Sequence, residues 1–415
     1  MAGIKPFYCI RPNKEAAARV AALPYDVYNR EEAKREVEKE PLSFLNIDRA
    51  ETQFPDEVDT YAPCVYEKAK ELLEQMTKDG ILLKEQTPCY YLYELTMGEH
   101  IQTGIVACSS VDDYLNDVIK KHENTREEKE WDRICHVDKT NAHTGPIFLA
   151  YRAKKVITDL MNQIKKESAL YDFHTPDGIR HRVFRIERES EIQKLTNEFA
   201  KVPCTYIADG HHRAASAVKV ALKRRQEHPE FTGEEEFNYF LSVLFADEEL
   251  QILPYNRVVK DLNGLTEEEY LLRVEEAFEV KKVGKIGTKG IEPDKKKNIA
   301  MLLGEQWYLL TAKKEIGSDD PVKGLDVSLL QDYLLKPTLG IIDPRTDQRI
   351  EFIGGIRGKE ELERRVAKDM KVAFFMYPTS MEELFCVADA GLLMPPKSTW
   401  FEPKLRSGLF IHNLT

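Results

Sequence analysis

The residues best suited to chemistry stand in one short run, Ala208-Asp209-Gly210-His211-His212-Arg213. A β-rich stretch over residues 205–208 enters the Asp-Gly pair, and the pattern predicts a helix from about His211. A helix that starts at a glycine directs its first backbone N–H groups outward, which is a ready site for phosphate. Arg213 adds a planar fork for phosphate oxygens, and Asp209 could hold a magnesium ion or orient a histidine. The alternative is a capped helix start with polar surface residues.

Three further segments could contribute to a site. His122-Glu123 lies in IKKHENTR, which is not the metalloprotease HExxH motif because Arg126 replaces its second histidine, and which could equally be a solvated face. Asn141, Thr144 and Gly145 precede Pro146 in a polar loop that either lines a site or is a plain turn. Near the C-terminus, PPKSTWFEPK offers Lys397 for phosphate, or forms a surface loop.

Composition narrows the class of protein. The chain has 415 residues, 60 Lys plus Arg and 71 Asp plus Glu, so its net charge is −11. An acidic chain is a poor candidate for non-specific binding to nucleic acid or anionic lipid. Its apolar runs fall short of the roughly 20 residues that span a bilayer. The seven cysteines form no CxxC pair, which indicates a reducing, cytoplasmic location.

The elements that must position these residues alternate between helical and extended patterns. CYYLYELTM and IQTGIVACSSV predict a hairpin, residues 62–79 predict an amphipathic helix, and FNYFLSVLFA predicts a central strand. The order predicts an α/β fold, or α+β, with several mixed sheets. A rise in charge near residues 261–290 favours two domains, 1–260 and 261–415.

At the ADGHHR run the chain resembles the free L-serine kinases of the SerK type, in a superfamily similar to the ParB N-terminal domain and sulfiredoxin. The resemblance covers most of the chain and points to the long bacterial branch, called domain of unknown function 1015. The segments that carry it are LPYDV, EPLSFLNID, QTGIVACSSVDDY, IKKHENTR, NAHTGPIF, LYDF, YIADGHHRAAS, LPYNRVVKDL and PKSTWFEPKLRSGL.

The resemblance implies a ParB/sulfiredoxin-like nucleotide-binding core with inserted elements in residues 1–260, and an additional C-terminal α/β region. It makes His122-Glu123 the match of the family's His-Glu pair, whose carboxylate is the catalytic base. Asp209, Gly210, His211, His212 and Arg213 match the family's phosphate-binding box, whereas roles for Asn141, Thr144, Gly145 and Lys397 are our own inference. The insertion between Glu123 and the box is longer than in the short kinases.

The expected activity is therefore phosphoryl transfer from ATP or ADP, with Mg²⁺, to the hydroxyl of free L-serine. The expected partners are a nucleotide and an amino acid, without nucleic acid or membrane. The C-terminal region could complete the pocket through Lys397 or Lys404, or support a homodimer. Two alternatives stay open: a metal-dependent hydrolase using His122, His136, His143, His211 and His212, and a ParB-like nucleotide-binding regulator.

Overall fold

A computed structural model describes all 415 residues, which form two compact units. The first unit is Met1–Leu250 together with Pro403–Thr415, and the second is Gln251–Glu402. The first unit therefore ends at residue 250, whereas the sequence pattern favours a boundary at residue 260. The C-terminal segment, Pro403–Thr415, also belongs to the first unit.

The strands are, in chain order, β1 Ile4–Lys5, β2 Cys9–Pro12, β3 Leu82–Lys84, β4 Tyr90–Met97, β5 His100–Ser110, β6 Ile119–Lys120, β7 Ala142–His143, β8 Ile147–Tyr151, β9 Tyr171–His174, β10 Arg180–Ile186, β11 Thr205–Asp209, β12 Tyr239–Ala246, β13 Gln251–Leu253, β14 Tyr255–Val259, β15 Phe278–Lys285, β16 Asn298–Leu303, β17 Gln306–Ala312, β18 Ile350–Gly354, β19 Val372–Met376, β20 Trp400–Glu402 and β21 Ile411–Asn413.

The α-helices are α1 Ala17–Val20, α2 Arg30–Lys39, α3 Leu45–Asp48, α4 Pro63–Lys78, α5 Val111–Leu115, α6 Glu127–Thr140, α7 Lys155–Ile164, α8 Glu189–Phe199, α9 His211–Glu227, α10 Glu267–Ala277, α11 Asp326–Leu330, α12 Gly358–Lys368 and α13 Met381–Asp389. None of the helices is both long enough and apolar enough to cross a membrane.

The first unit is built on a nine-stranded mixed sheet. Eight strands follow the order β6-β11-β8-β12-β5-β4-β10-β9, and β1 pairs with β5. The pairs β6–β11 and β8–β12 are parallel, and the other pairs in this sheet are antiparallel. The predicted hairpin is confirmed as β4 and β5, and the apolar run before Asp247 is confirmed as the central strand β12.

A second sheet of the first unit contains the C-terminal strand. Its order is β3-β2-β21-β7, so β21 pairs with β2 on one side and with β7 on the other. Phe410, just before β21, is fully buried, and its ring centroid lies 5.3 Å from that of Tyr91 and 5.5 Å from that of Tyr93. The C-terminal segment is thereby anchored against the core of the first unit.

The second unit has its own six-stranded antiparallel sheet, in the order β15-β17-β16-β19-β14-β18, and the short pair β13–β20. Helix α12 packs on this sheet, where Leu362 joins Val258, Leu302 and Trp307 in the core. The predicted α/β class with several sheets, at least one of them mixed, is confirmed.

Truncating Phe410 tests the anchoring of the C-terminal segment. We expect Phe410→Ala to lower the free energy of unfolding of the first unit by about 3–5 kcal/mol, because the change leaves a cavity between two buried tyrosine rings. Leu83→Ala is the control, since Leu83 is 42% exposed on β3. Denaturant unfolding that gives equal stabilities for the two variants would contradict the anchoring role.

Candidate active site

The strand directions explain why residues far apart in sequence meet at one edge of the large sheet. Strands β6 and β11 are parallel, with Ile119 opposite Thr205, so the residues that follow each strand emerge at the same edge. Strand β8 runs antiparallel to β11, so the loop that precedes β8 lies at that edge too. The segment after β6, the end of β11 and the loop before β8 therefore surround a common space, and they carry Glu123, Asp209 and Gly145 respectively.

A sharp turn at Gly210 joins β11 to helix α9. Gly210 has φ +94°, a left-handed conformation that favours glycine. A β-carbon at this position would also lie 3.1 Å from atoms of the Arg213 guanidinium, so a larger residue would displace that side chain slightly. The predicted strand, glycine turn and helix start are thus confirmed.

The start of helix α9 presents unsatisfied donors. The first helical hydrogen bond runs from Ala214 N–H to the Gly210 carbonyl, and the N–H groups of His211, His212 and Arg213 have no acceptor in the structure. In a helix of 17 residues these groups carry the positive end of the helix dipole. The Arg213 side chain donates to the carbonyl of Pro146, which holds its guanidinium beside the turn and close to Gly145. This arrangement suits a phosphate group.

Asp209 is held as a carboxylate at the same turn. Its Oδ1 accepts the Gly210 N–H at 2.8 Å, and its Oδ2 accepts Lys404 Nζ at 3.0 Å, with Arg213 Nη2 at 4.0 Å. Burial by itself would raise the pKa of Asp209, but Lys404 and Arg213 outweigh it and hold the pKa well below its usual range. Lys404 therefore brings the C-terminal segment of the first unit into the site.

His122 and His211 form a buried pair beside Glu123. Their ring centroids lie 4.5 Å apart at an interplanar angle of 87°, and His211 Nδ1 lies 3.8 Å from Glu123 Oε2. His122 Nδ1 and His211 Nε2 are buried without a hydrogen-bond partner. Burial lowers the pKa of His122 to about 4. Burial and the neighbouring His122 together lower the pKa of His211 well below its usual value. Both imidazoles are neutral at pH 7, next to a carboxylate that reaches solvent.

His212 has a different position from His211. Its Nε2 accepts the backbone N–H of Arg126 at 3.0 Å, which ties the loop before α6 to the start of α9. Burial, followed by the nearby Lys129, lowers the pKa of His212. A neutral ring is required for this hydrogen bond, because the accepting nitrogen must be unprotonated.

The structure does not bring every predicted residue to the turn. Asn141 Oδ1 lies 3.4 Å from Arg224 Nη2, near the other end of helix α9, which is about 20 Å along the helix from His211. The Asn141 side chain also contacts Asn413 and Thr415. Thr144 donates to Asp48 Oδ1 at 2.8 Å, and it lines a cavity together with Gly145 and Arg213, so its role in binding phosphate stays a prediction.

Lys397 belongs to the second unit. It has φ +57°, its carbonyl accepts Arg257 Nη2 at 3.0 Å, and its Nζ lies 5.4 Å from the centroid of the Tyr255 ring. Its role in binding phosphate stays a prediction.

Sequence reasoning missed helix α6 and the polar residues around it. The buried side of α6 carries Glu130, Asp132, Arg133, His136, Val137 and Thr140, so only one of its buried residues is apolar. Arg133 stacks on Tyr25, with its Cζ 3.9 Å from the ring centroid, and its Nε donates to Asp132 Oδ2 at 2.9 Å. The signal that could have revealed α6 is the helical spacing of Arg133, His136 and Thr140, all polar.

The side chains at the turn fit a magnesium ion with a single protein ligand. The structure has no group of three or more His, Cys, Asp or Glu side chains placed to hold a metal ion. Asp209 is one carboxylate beside the turn at Gly210, and each of its oxygens keeps a lone pair beyond the hydrogen bond that it accepts. Magnesium in phosphate sites is commonly bound by one or two carboxylates, substrate phosphates and water.

The fold and the turn define a mixed α/β protein in which a helix start with unpaired N–H groups lies at the edge of the large sheet. The family model described as "Protein of unknown function (DUF1015)" matches residues 4–328, and the chain belongs to this family. No curated protein matches the chain.

Several solved structures resemble the chain at low identity. A mutant of free serine kinase in complex with ADP is 17% identical over 75% of this chain and 94% of its own, with a TM-score of 0.35. A conserved hypothetical protein from Pyrococcus furiosus is 16% identical over 74% and 94%, with a TM-score of 0.33. SbnI with a C-terminal truncation, from Staphylococcus aureus, is 11% identical over 73% and 85%, with a TM-score of 0.39.

The neutral His122 predicts acid sensitivity. The unfolded chain binds a proton on this imidazole near pH 6.5, whereas the folded protein does so only near pH 4, so stability falls as the pH drops through this window. We expect His122 to account for about 2 kcal/mol of the loss in unfolding free energy between pH 7 and pH 5. His122→Gln should reduce that loss and the exposed-residue control His228→Gln should not, as measured by denaturant unfolding at both pH values. Equal losses in all three proteins would refute the assignment.

The pairing of Asp209 with Lys404 predicts a second contribution to stability that is lost in acid, and a lysine variant should lack this contribution. Because the folded pKa of Asp209 is depressed, the pair stabilises the fold above about pH 4, and this contribution disappears as the pH falls towards the folded pKa. Lys404→Met should therefore destabilise the protein at pH 7 and do so less at pH 3. In an Asp209→Asn background, the effect of Lys404→Met should be the same at both pH values. A pH-independent effect in the native background would count against the pairing.

Proposed function

We propose that the protein is a kinase that transfers a phosphoryl group from ATP or ADP to the hydroxyl of free L-serine and forms O-phospho-L-serine. The observation that carries the proposal is the position of Glu123, 3.8 Å from the imidazole of His211 at the phosphate-binding turn. A carboxylate that reaches solvent next to a set of unsatisfied N–H donors is the pairing that phosphoryl transfer to a hydroxyl requires.

The terminal phosphate of the donor would lie on the N–H groups of His211, His212 and Arg213. These donors, the helix dipole and the Arg213 guanidinium offset the negative charge of the phosphates. Asp209 would hold a magnesium ion, which supplies further charge neutralisation when bound. Lys404 stabilises the ionised form of Asp209 and keeps it fixed at the end of β11.

Glu123 would act as the general base. Its carboxylate takes the proton from the serine hydroxyl while the serine oxygen forms a bond to the terminal phosphorus. The bond from that phosphorus to the bridging oxygen breaks, and the shortened nucleotide leaves with the electron pair. The buried His122–His211 pair stays neutral, so it adds no charge that would hold Glu123 in an unreactive ion pair.

The choice of serine as acceptor rests on the resemblance of His122-Glu123 and of residues 209–213 to the free L-serine kinases. The geometry supports the reaction class, which is transfer to a small hydroxylated acceptor. Positioning and charge neutralisation account for most of the catalysis of such reactions, so a single carboxylate base is sufficient.

The activity itself is tested by incubating the protein with Mg²⁺, L-serine and either ATP or ADP, and by searching for O-phosphoserine with mass spectrometry. We expect phosphoserine with one of the two donors, which also identifies the donor. Absence of phosphoserine with both donors would overturn serine as the acceptor, and nucleotide hydrolysis that serine does not change would favour a regulatory role.

A substitution of Glu123 tests the mechanism. Glu123→Gln keeps the size of the side chain but removes the proton acceptor, so turnover should fall by about 10²–10⁴-fold. Nucleotide affinity, measured by calorimetry, should stay within about threefold because Arg213 and the N–H groups remain. Glu127→Gln, at the exposed start of α6, is the control and should keep its turnover. A near-normal rate for Glu123→Gln would rule out this role.

A further inference from the structure

Two neighbouring cavities lie beside the turn, both lined by residues of the first unit. The inner cavity has a volume of about 30 Å³ and is lined by Gly145 and Arg213 among others. The outer cavity has a volume of about 200 Å³ and lies among α3, α4 and α6. Tyr25, Asp48 and Arg133 line both cavities, so the two lie side by side and share a wall.

The cavities are separate from the place where the phosphoryl group would react. Arg213, which would contact the phosphates, lines the inner cavity, whereas Glu123 lines neither cavity. The reacting end of the donor must lie at Glu123. A donor held by Arg213 therefore has its reacting phosphate on the Glu123 side and the rest of the molecule directed into the cavities.

The walls of the outer cavity combine aromatic rings with buried polar groups. The Arg133 guanidinium stacks on the Tyr25 ring, and the Tyr66 hydroxyl donates a hydrogen bond to Asp132 Oδ1 at 3.0 Å. Asp48 is 4% exposed and accepts a hydrogen bond from Thr144, which leaves further acceptor capacity facing the cavity. Rings, carboxylates and a guanidinium together match a flat heteroaromatic group with amine and hydroxyl donors.

We propose that the outer cavity binds the nucleoside part of the phosphate donor, with its base among the tyrosine rings and its donor groups on Asp48 and Asp132. This inference rests on the proposed function and adds the place where the nucleoside of the donor binds. The cavity would provide affinity for the part of the donor that does not react, and so would position the terminal phosphate at Glu123.

A cavity-filling substitution separates this subsite from the phosphate-binding turn. Thr60 lines the outer cavity and is partly exposed, so Thr60→Trp fills space in the cavity with a bulky ring. Glu57→Trp adds the same side chain to the same loop at an exposed position that does not line the cavity. Calorimetry on the full chain would measure binding of the nucleotide that serves as donor and of inorganic tripolyphosphate, in the wild type and in both variants. Thr60→Leu replaces Thr60→Trp if the larger side chain prevents folding.

We expect Thr60→Trp to weaken nucleotide binding by at least tenfold, to leave tripolyphosphate binding within twofold, and to leave the KM for serine unchanged. Glu57→Trp should match the wild type in every measurement. Unchanged nucleotide binding in Thr60→Trp, or a change confined to the KM for serine, would overturn the nucleoside subsite and leave the kinase proposal intact. Absence of binding of both nucleotide and tripolyphosphate to the wild type would instead overturn the kinase proposal.

Discussion

The unsatisfied N–H groups at the start of helix α9 are the feature on which the rest of the site depends. They face outward because the chain turns sharply at Gly210, where a left-handed backbone favours glycine and the Arg213 guanidinium lies close to the turn. The turn is rigid because β11 lies between β6 and β8 in the large sheet and because Arg213 is bonded to the carbonyl of Pro146. Donors held in this way need no reorganisation to receive an anion.

Neighbouring ionisable groups are kept in different charge states by their different surroundings. Asp209 stays ionised because Lys404 and Arg213 compensate for the loss of water around it. His122 and His211 stay neutral because they are buried and face each other, without a hydrogen-bonded carboxylate. Asp209 therefore lies between two cations while both imidazoles carry no charge, and the positive end of the helix dipole acts at the same turn.

Much of the fold could be predicted from local patterns. The β4–β5 hairpin and the central strand β12 follow from β-rich apolar runs and the glycine between two of them. Helix α6 could not be predicted in this way, because apolar periodicity signals a helix only when its buried side is apolar. Arg133 and His136 lie on the buried side of α6, where they line a cavity. The sequence of α6 therefore has the polar composition of a solvent-exposed segment.

The sequence by itself determined the turn, since Asp209, Gly210, His211, His212 and Arg213 are consecutive and their local chemistry requires no distant contact. The resemblance to the free L-serine kinases made His122-Glu123 the candidate for the base, a role that stays a prediction. Only the tertiary structure decided that Glu123 reaches the turn, through the parallel pairing of β6 with β11, that Lys404 joins Asp209, and that Asn141 lies at the far end of α9. Strand pairing between distant segments depends on packing of the whole sheet, which local sequence patterns do not contain.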